Sequence, residues 1–316
     1  MRRNDNRLTI FQHMPELPEV ETIARGLAKR VTGDAIESVW LGRKKEPLKS
    51  TAHEIAAVLE QSRISRVHRM GKHIVFELQR TGELTNGKKP FRKNKRATEA
   101  TSAVARGGAR PTLTSNGKAQ WIVHLGMTGR LQVCEPLAEV EKHTHAIVKL
   151  ESGRELRFVD PRRFGRLSVA ASGEFDTVGI EPLEIDLERF IPLFRGRKTP
   201  IKSALLNQKL LRGVGNIYAD ESLFRAGIRP RRQAASVNRE QLGQLFTAIK
   251  DVLTEAIALG GSSISDYVDA DGEEGFFQLQ HRVYGREGKP CLVCETPIKR
   301  VVIAGRSSHY CPKCQK

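Results

Sequence analysis

The sequence predicts an α+β protein: an N-terminal antiparallel β-sandwich with flanking helices, then a helical domain, then a small cysteine-bearing hairpin. Three observations lead there. Short β-rich runs (AIESVWL, HIVFELQ, QWIVHLG, GRLQVCE, HAIVKL, ELRFVD, GRLSVA) succeed one another through the first half, with Gly, Pro and Ser at the breaks. That is the spacing of strands joined by turns. From about residue 185 the pattern turns helical, and Cys291, Cys294, Cys311 and Cys314 crowd the end of the chain.

Taken in order, residues 18–31 open with Pro18 and acidic residues, which suits a helix start. Val20, Ile23, Ala24, Leu27 and Val31 then form one apolar stripe. A helical signal at 52–61 interrupts the strands. Residues 81–118 interrupt them again, being rich in Gly, Thr, Ser, Lys and Arg and poor in large apolar side chains. That composition predicts a disordered basic insertion between two strands. LERFIPLFRG, IKSALLNQKLL and NIYADESLFRAG follow as helical segments. In 239–259, Leu242, Leu245, Phe246, Ile249, Val252, Leu253, Ala256 and Ile257 keep core-facing helical spacing. The predicted organisation is an extension at 1–13, a β-sandwich domain at 14–184, a helical domain at 185–281 and a cysteine hairpin at 282–316. A chain of 316 residues has room for two cores.

The net charge is +17, and much of it is concentrated. Residues 81–118 hold nine bases against two acids, and residues 281–316 hold eight against two. Concentrated positive charge points to a polyanion, with nucleic acid the commonest; an RNA or ribosomal partner is a weaker reading of the same charge. No apolar run approaches the roughly 20 residues of a membrane span. The first thirteen residues lack the apolar core of a secretory signal. The expectation is a cytoplasmic protein with no membrane partner.

Cys134, alone in RLQVCEPL, reads as a small buried hydrophobe. The other four cysteines form Cys291-x2-Cys294-x16-Cys311-x2-Cys314, the spacing of a four-thiolate zinc site. The intervening PIKRVVIAGRSSHY can fold as a hairpin whose tip carries Arg306. So short a segment buries too little apolar area to fold alone, so one structural zinc would supply its folding energy. Disulfides are the alternative, disfavoured in a reducing compartment.

The segment Met14-Pro15-Glu16-Leu17-Pro18-Glu19-Val20-Glu21-Thr22 carries the sharpest chemical signal. Were Met14 the initiator and removed, Pro15 would present a secondary α-amine. An α-amine titrates near 8 and a lysine near 10.4, so roughly a tenth of the former is free at neutral pH. Such an amine is a ready nucleophile for a carbonyl-like carbon. Glu16 beside it can donate or accept the proton that opens a sugar ring. In the chain as written, however, the Pro15 nitrogen lies in an amide bond with Met14, and an amide nitrogen is no nucleophile. The expectation is that translation starts at Met14; later cleavage or an inactive copy are the alternatives.

MPELPEVET resembles the amino-terminal signature of bacterial formamidopyrimidine-DNA glycosylases. The likeness continues through RMGKHIVFEL, HLGMTGRL, EKHTHA, DPRRFG, GVGNIYADESLFRAGI, GGSSISDY, VYGREGKPC and GRSSHYCPKCQK. Only residues 1–13 and 81–118 fall outside it. The resemblance implies a monomeric, nucleoid-associated bifunctional glycosylase and lyase. It would act on damaged double-stranded DNA, releasing 8-oxoguanine and formamidopyrimidines and cleaving the abasic site by β,δ-elimination through a Schiff base.

By that likeness Pro15 attacks C1′, Glu16 protonates the opening deoxyribose, Lys72 serves phosphate contact and the β-elimination proton, and Arg306 serves δ-elimination. A flipped nucleotide leaves a gap in the stack, which Met127, Phe164 and Arg162 would fill. His143, Arg162, Arg197, Lys198, Lys202 and Asn216 would contact DNA. Asn216 begins the second helix of a helix–two-turn–helix element, where glycine-rich amides favour phosphate. Residues 261–277 resemble a loop that closes over an oxidised purine, with Ser265 where some relatives carry a base. Two alternatives remain: an endonuclease VIII-type enzyme for oxidised pyrimidines, and a non-catalytic zinc-bearing DNA-binding protein.

Overall fold

The structure, a computed structural model, describes residues 14–81, 117–262 and 275–316. The expectations for residues 1–13, for the body of the 81–118 insertion and for most of the 261–277 loop, Ser265 included, lie outside the described residues.

Helix α1 (Leu17–Val31) carries Pro18 in its first turn, and its stripe of Val20, Ile23, Ala24, Leu27 and Val31 is buried. The strands follow as β1 (Ile36–Leu41), β2 (Ser62–Met70), β3 (His73–Arg80), β4 (Lys118–His124), β5 (Arg130–Cys134), β6 (Thr144–Leu150), β7 (Glu155–Val159) and β8 (Arg166–Ala171), with α2 (Ala52–Leu59) between β1 and β2. They build two four-stranded antiparallel sheets, ordered β2-β3-β4-β8 and β1-β6-β7-β5. Between them Phe76, Trp121, Phe158 and Leu167 share one core with the α1 stripe and Ile55, Val58 and Leu59 of α2. Helix α2 starts at Thr51, whose hydroxyl accepts from Glu54 N at 3.2 Å while the Glu54 carboxylate accepts from Thr51 N at 2.8 Å, the reciprocal cap that begins a helix cleanly.

The sequence offered no signal for β2. Arg63, Arg66, His68 and Arg69 interrupt its apolar residues, and a register shift between Ile64 and Arg66 breaks the two-residue alternation. As the edge strand of its sheet, paired along its length with β3 and on its other side only through an isolated bridge from Ala35 to Arg63, it tolerates that charge.

The helical region holds α3 (Leu187–Phe190) with a 3-10 turn at Ile191–Phe194, α4 (Ile201–Leu205), α5 (Asn216–Arg225) and α6 (Arg239–Ala258). The α6 stripe packs with Phe190, Phe194 and Tyr218 into a second core, which Leu17 of α1 also joins. Helix α1 thus serves both cores: its first residue belongs to the helical one, the rest of its stripe to the sandwich. Strands β9 (Lys299–Ile303) and β10 (Arg306–Tyr310) form the terminal hairpin, with Phe224, Val283 and Ile298 beneath it. Among the described residues, no helix is long and apolar enough to cross a membrane.

Candidate active site and nucleic-acid interface

The amino-terminal segment is pinned between the two cores. Leu17 N donates to Gly213 O at 3.0 Å, and the Glu16 side chain, which also belongs to the capping box that begins α1, reaches across to cap α5. Ile217 N donates to Glu16 Oε1 at 3.1 Å and Tyr218 N to Oε2 at 3.5 Å. The GVGN run therefore works differently from the phosphate cradle that its glycines predicted. These amides of α5 face the Glu16 carboxylate, where they and the helix dipole favour negative charge. The glycines are spacers: Gly213 has φ +91 and a Cβ there would lie 2.8 Å from Leu17 Cδ1, while a Cβ on Gly215 would overlap Glu16 Cδ.

Behind Glu16 lies Glu19, also buried. It accepts from Glu16 N and Ser262 N, each at 2.8 Å, and from the Tyr218 hydroxyl. Burial and the adjacent Glu16 charge push its carboxyl above the usual range, against the pull of those hydrogen bonds.

At the mouth of this segment a cavity of about 180 Å³ is lined by Met14, Lys72, His124 and Arg306 among others. Two sequence-predicted residues, Lys72 and Arg306, thus converge with Met14, the residue joined to Pro15, where the sandwich, the helical region and the hairpin meet. Burial pulls the Lys72 ammonium below its ordinary range; the Glu16 charge opposes this and Arg306 adds to it. A lysine so desolvated is a better proton acceptor than one on the surface. Lys72 follows Gly71 (φ +59) in the β2–β3 turn, which Arg69 braces by donating to Gly71 O at 3.2 Å. Arg69 also grips Glu21 of α1 at 2.8 Å and Glu181 at 2.8 and 2.9 Å, and Arg212 reaches the same Glu181 at 3.4 Å.

Sequence reasoning missed His124, the first residue of HLGMTG. Its Nδ1 accepts from Gly126 N at 3.1 Å. Burial, then the nearby His73, Lys72 and Arg166, pull its pKa down to about 4. The ring is neutral at physiological pH, and with Nδ1 an acceptor, Nε2 carries the proton.

The wedge residues come together as well. The Gly126–Met127 turn presses on the Phe164–Gly165 backbone, so closely that a Cβ on Gly126 would lie 2.5 Å from Phe164 C. Phe164 is 44% exposed, high for a ring with a core role, and the Arg162 guanidinium sits 4.8 Å from its centroid. Asp160, buried and also absent from the sequence reading, organises this loop: it accepts from Thr128 Oγ1 at 2.6 Å, Gly165 N at 2.8 Å and Arg162 N at 3.2 Å. His143 is exposed beside it, its carbonyl accepting from Asp160 N at 3.0 Å.

The remaining predicted DNA contacts divide. Lys198 is exposed and Arg197 half-buried, on the loop between the 3-10 turn and α4. Asn216 faces the hairpin, its Nδ2 donating to Ser307 Oγ at 3.4 Å. Lys202 departs from the expectation of a phosphate contact: its side chain is wholly enclosed and ion-paired with Asp220 at 2.7 Å.

In the hairpin the four predicted thiols meet, with all Sγ atoms within 4.8 Å of one another. Contacts of 3.4 Å (Cys294–Cys311 and Cys294–Cys314) and 3.9 Å (Cys291–Cys314) are far longer than a disulfide bond. They bracket the edge of about 3.8 Å expected for a thiolate tetrahedron around zinc. Cys314 N also points at Cys311 Sγ at 3.4 Å, a donor suited to thiolate charge. Chelation should therefore release about one zinc per chain, make these four thiols titratable and weaken damaged-duplex binding at least about tenfold as Arg306 loses its support. Retention of full binding by metal-free protein would contradict this.

Comparison with known proteins follows the same three parts. Residues 14–167 match the family described as the formamidopyrimidine-DNA glycosylase N-terminal domain, residues 178–268 its H2TH domain, and residues 288–316 a zinc finger found in FPG and IleRS. The formamidopyrimidine-DNA glycosylase of Solibacter usitatus is 42% identical over 96% of this chain and 100% of its own length; that of Gluconobacter oxydans is 39% identical over the same shares. Among solved structures, the MutM (Fpg) protein of Thermus thermophilus aligns with TM-score 0.75 at 38% identity, covering 95% of this chain and 98% of that one. Lactococcus lactis Fpg bound to DNA containing an abasic site aligns with TM-score 0.78 at 29% identity, covering 95% and 99%.

Proposed function

The chain belongs to the formamidopyrimidine-DNA glycosylase family, and on that premise we propose which of its groups carry out each part of the reaction. It is a base-excision repair enzyme that removes oxidised purines from DNA, with one structural zinc in its hairpin. The observation that carries the assignment of roles is the shared cavity at the domain junction, with Lys72, Arg306 and the residue preceding Pro15 on its walls and Glu16 behind.

The free amine of Pro15 attacks C1′ of the damaged nucleoside, the bond to the base breaks, and the base leaves. Glu16 takes the proton that the Pro15 nitrogen sheds on bonding to C1′ and passes it to the ring oxygen, the C1′–O4′ bond opens, and an iminium Schiff base, which bears no N–H, remains on Pro15. Lys72, its amine favoured by burial, takes the C2′ proton so that the 3′ phosphate departs. Arg306 binds the phosphate whose departure completes the second elimination. Met127, Phe164 and Arg162 occupy the vacated stack: a thioether and a ring wedge between bases, and the guanidinium meets the orphaned partner. His143, Arg197, Lys198 and Asn216 contact the duplex backbone. Cys291, Cys294, Cys311 and Cys314 would hold the zinc, which would stiffen the hairpin that carries Arg306. The protein acts as a cytoplasmic, nucleoid-associated monomer.

Duplexes carrying 8-oxoguanine opposite cytosine, or thymine glycol, separate this reading from its rivals. Release of 8-oxoguanine at least about tenfold faster, with a covalent adduct under borohydride, is the expected outcome. Preference for thymine glycol would favour the pyrimidine enzyme; binding without adduct, from protein that begins at Pro15, would favour a non-catalytic DNA-binding protein.

A further inference from the structure

Lys202 and Asp220 form an ion pair in which both side chains are 0% exposed. A buried pair of this kind is weak evidence of stabilisation, because desolvation offsets the attraction. Its neighbours indicate another use. Lys202 Nζ, 2.7 Å from Asp220 Oδ1, also donates to the carbonyl oxygen of Ser307 at 2.7 Å. Asp220 in turn accepts from Ser308 Oγ at 2.9 Å and from His309 N at 2.8 Å. One ion pair therefore holds three consecutive residues of β10, and the residue immediately before them is Arg306.

The hairpin needs such a hold. Its sheet has two strands, and an isolated two-stranded ribbon is marginally stable in water. The zinc thiolates fix the far end of the strands, at Cys311 and Cys314. Arg306 stands at the opposite end, where β10 begins. The Lys202–Asp220 pair ties that end to α4 and α5, and Leu206 just after α4 and Val214 just before α5 line the same cavity as Arg306.

We propose that Lys202 and Asp220 are positioning residues that hold Arg306 in the reaction cavity, and that Lys202 acts through this strand and not through contact with DNA. The proposal rests on the catalytic reading above. It requires that loss of the pair reproduce loss of Arg306 itself.

The test compares wild type, Arg306→Ala, Lys202→Met, Asp220→Asn and the combined Lys202→Met/Arg306→Ala protein, each beginning at Pro15 by intact mass and each with its zinc content and melting curve. Three quantities are read on an abasic-site duplex: the ratio of δ- to β-elimination product, the rate of borohydride trapping, and affinity for a duplex holding a non-cleavable abasic analogue. The expected result is that Lys202→Met lowers the δ-to-β ratio by about tenfold, as Arg306→Ala does, while trapping stays within about threefold of wild type and the combined variant adds nothing further. A wild-type ratio in Lys202→Met, independent effects that multiply in the combined variant, or trapping and ratio falling together in zinc-loaded protein would overturn the proposal. Should Lys202→Met fail to retain zinc, the near-isosteric Asp220→Asn is decisive, and a wild-type ratio there overturns the proposal equally. Wild-type protein that traps nothing would instead reject the catalytic reading. The pair is then judged on analogue affinity, where Lys202→Met and Arg306→Ala must weaken binding by the same, non-additive factor.

Discussion

Protein whose chain begins at Pro15 will form a borohydride-stable adduct with damaged duplex, and protein that keeps Met14 will form none. The difference should reach about three orders of magnitude or more, since an amide nitrogen has no lone pair to offer while a chain-terminal amine near pKa 8 is partly free at neutral pH. Geometry adds a second effect. Met14 itself lines the cavity beside Lys72 and Arg306, so its removal frees the nitrogen and also clears space for a sugar. The measurement is single-turnover trapping on 8-oxoguanine duplex, with the amino terminus of each preparation established by intact mass. Equal trapping by both forms would remove Pro15 from the mechanism.

Gly215→Ala should be the next most damaging change, although it adds one methyl group. The new carbon would overlap Glu16 Cδ and stand 2.6 Å from Cγ. Glu16 is 2% exposed, so its carboxylate has nowhere to move without abandoning the α5 amides. We expect a loss of about 2 kcal/mol in stability from overpacking. Single-turnover base release should fall about a hundredfold, as expected when an acid leaves its working geometry. Gly153→Ala is the control. Its φ of +87 imposes backbone strain, but nothing lies within 4 Å of the added carbon, so it should cost about 1 kcal/mol and leave the rate unchanged. A normal rate in folded Gly215→Ala would show that Glu16 does not need its place on α5.

Much of this was legible in the sequence because the signals were local. Thr51 and Glu54 announce a helix start three residues apart, and two Cys-x2-Cys pairs bring four thiols within 4.8 Å. Strand β2 was hidden because arginines mask its alternation. The site was legible in residue types and less so in roles. Lys202 and Lys198 look alike in sequence, both basic and both near the start of the helical region. Only the fold distinguishes them, since Lys202 finds Asp220 and Ser307 within 2.7 Å while Lys198 lies exposed. The glycines of GVGN read as a phosphate cradle by themselves, and what they accommodate is Glu16, a residue from the other end of the chain. Asp160 and His124 were passed over for a related reason: each works by fixing backbone amides of its own loop, which no charge pattern reveals.

The cap that Glu16 places on α5 spans 201 residues, and this gives the enzyme an order in time. Ribosomes make the amino end first, yet its carboxylate finds the Ile217 and Tyr218 amides only after synthesis has passed residue 218, well into the helical domain. A nascent or prematurely released chain can carry a processed, reactive proline with no organised acid beside it. Competence to cut DNA therefore arrives late in synthesis, when the two cores that share α1 close on each other.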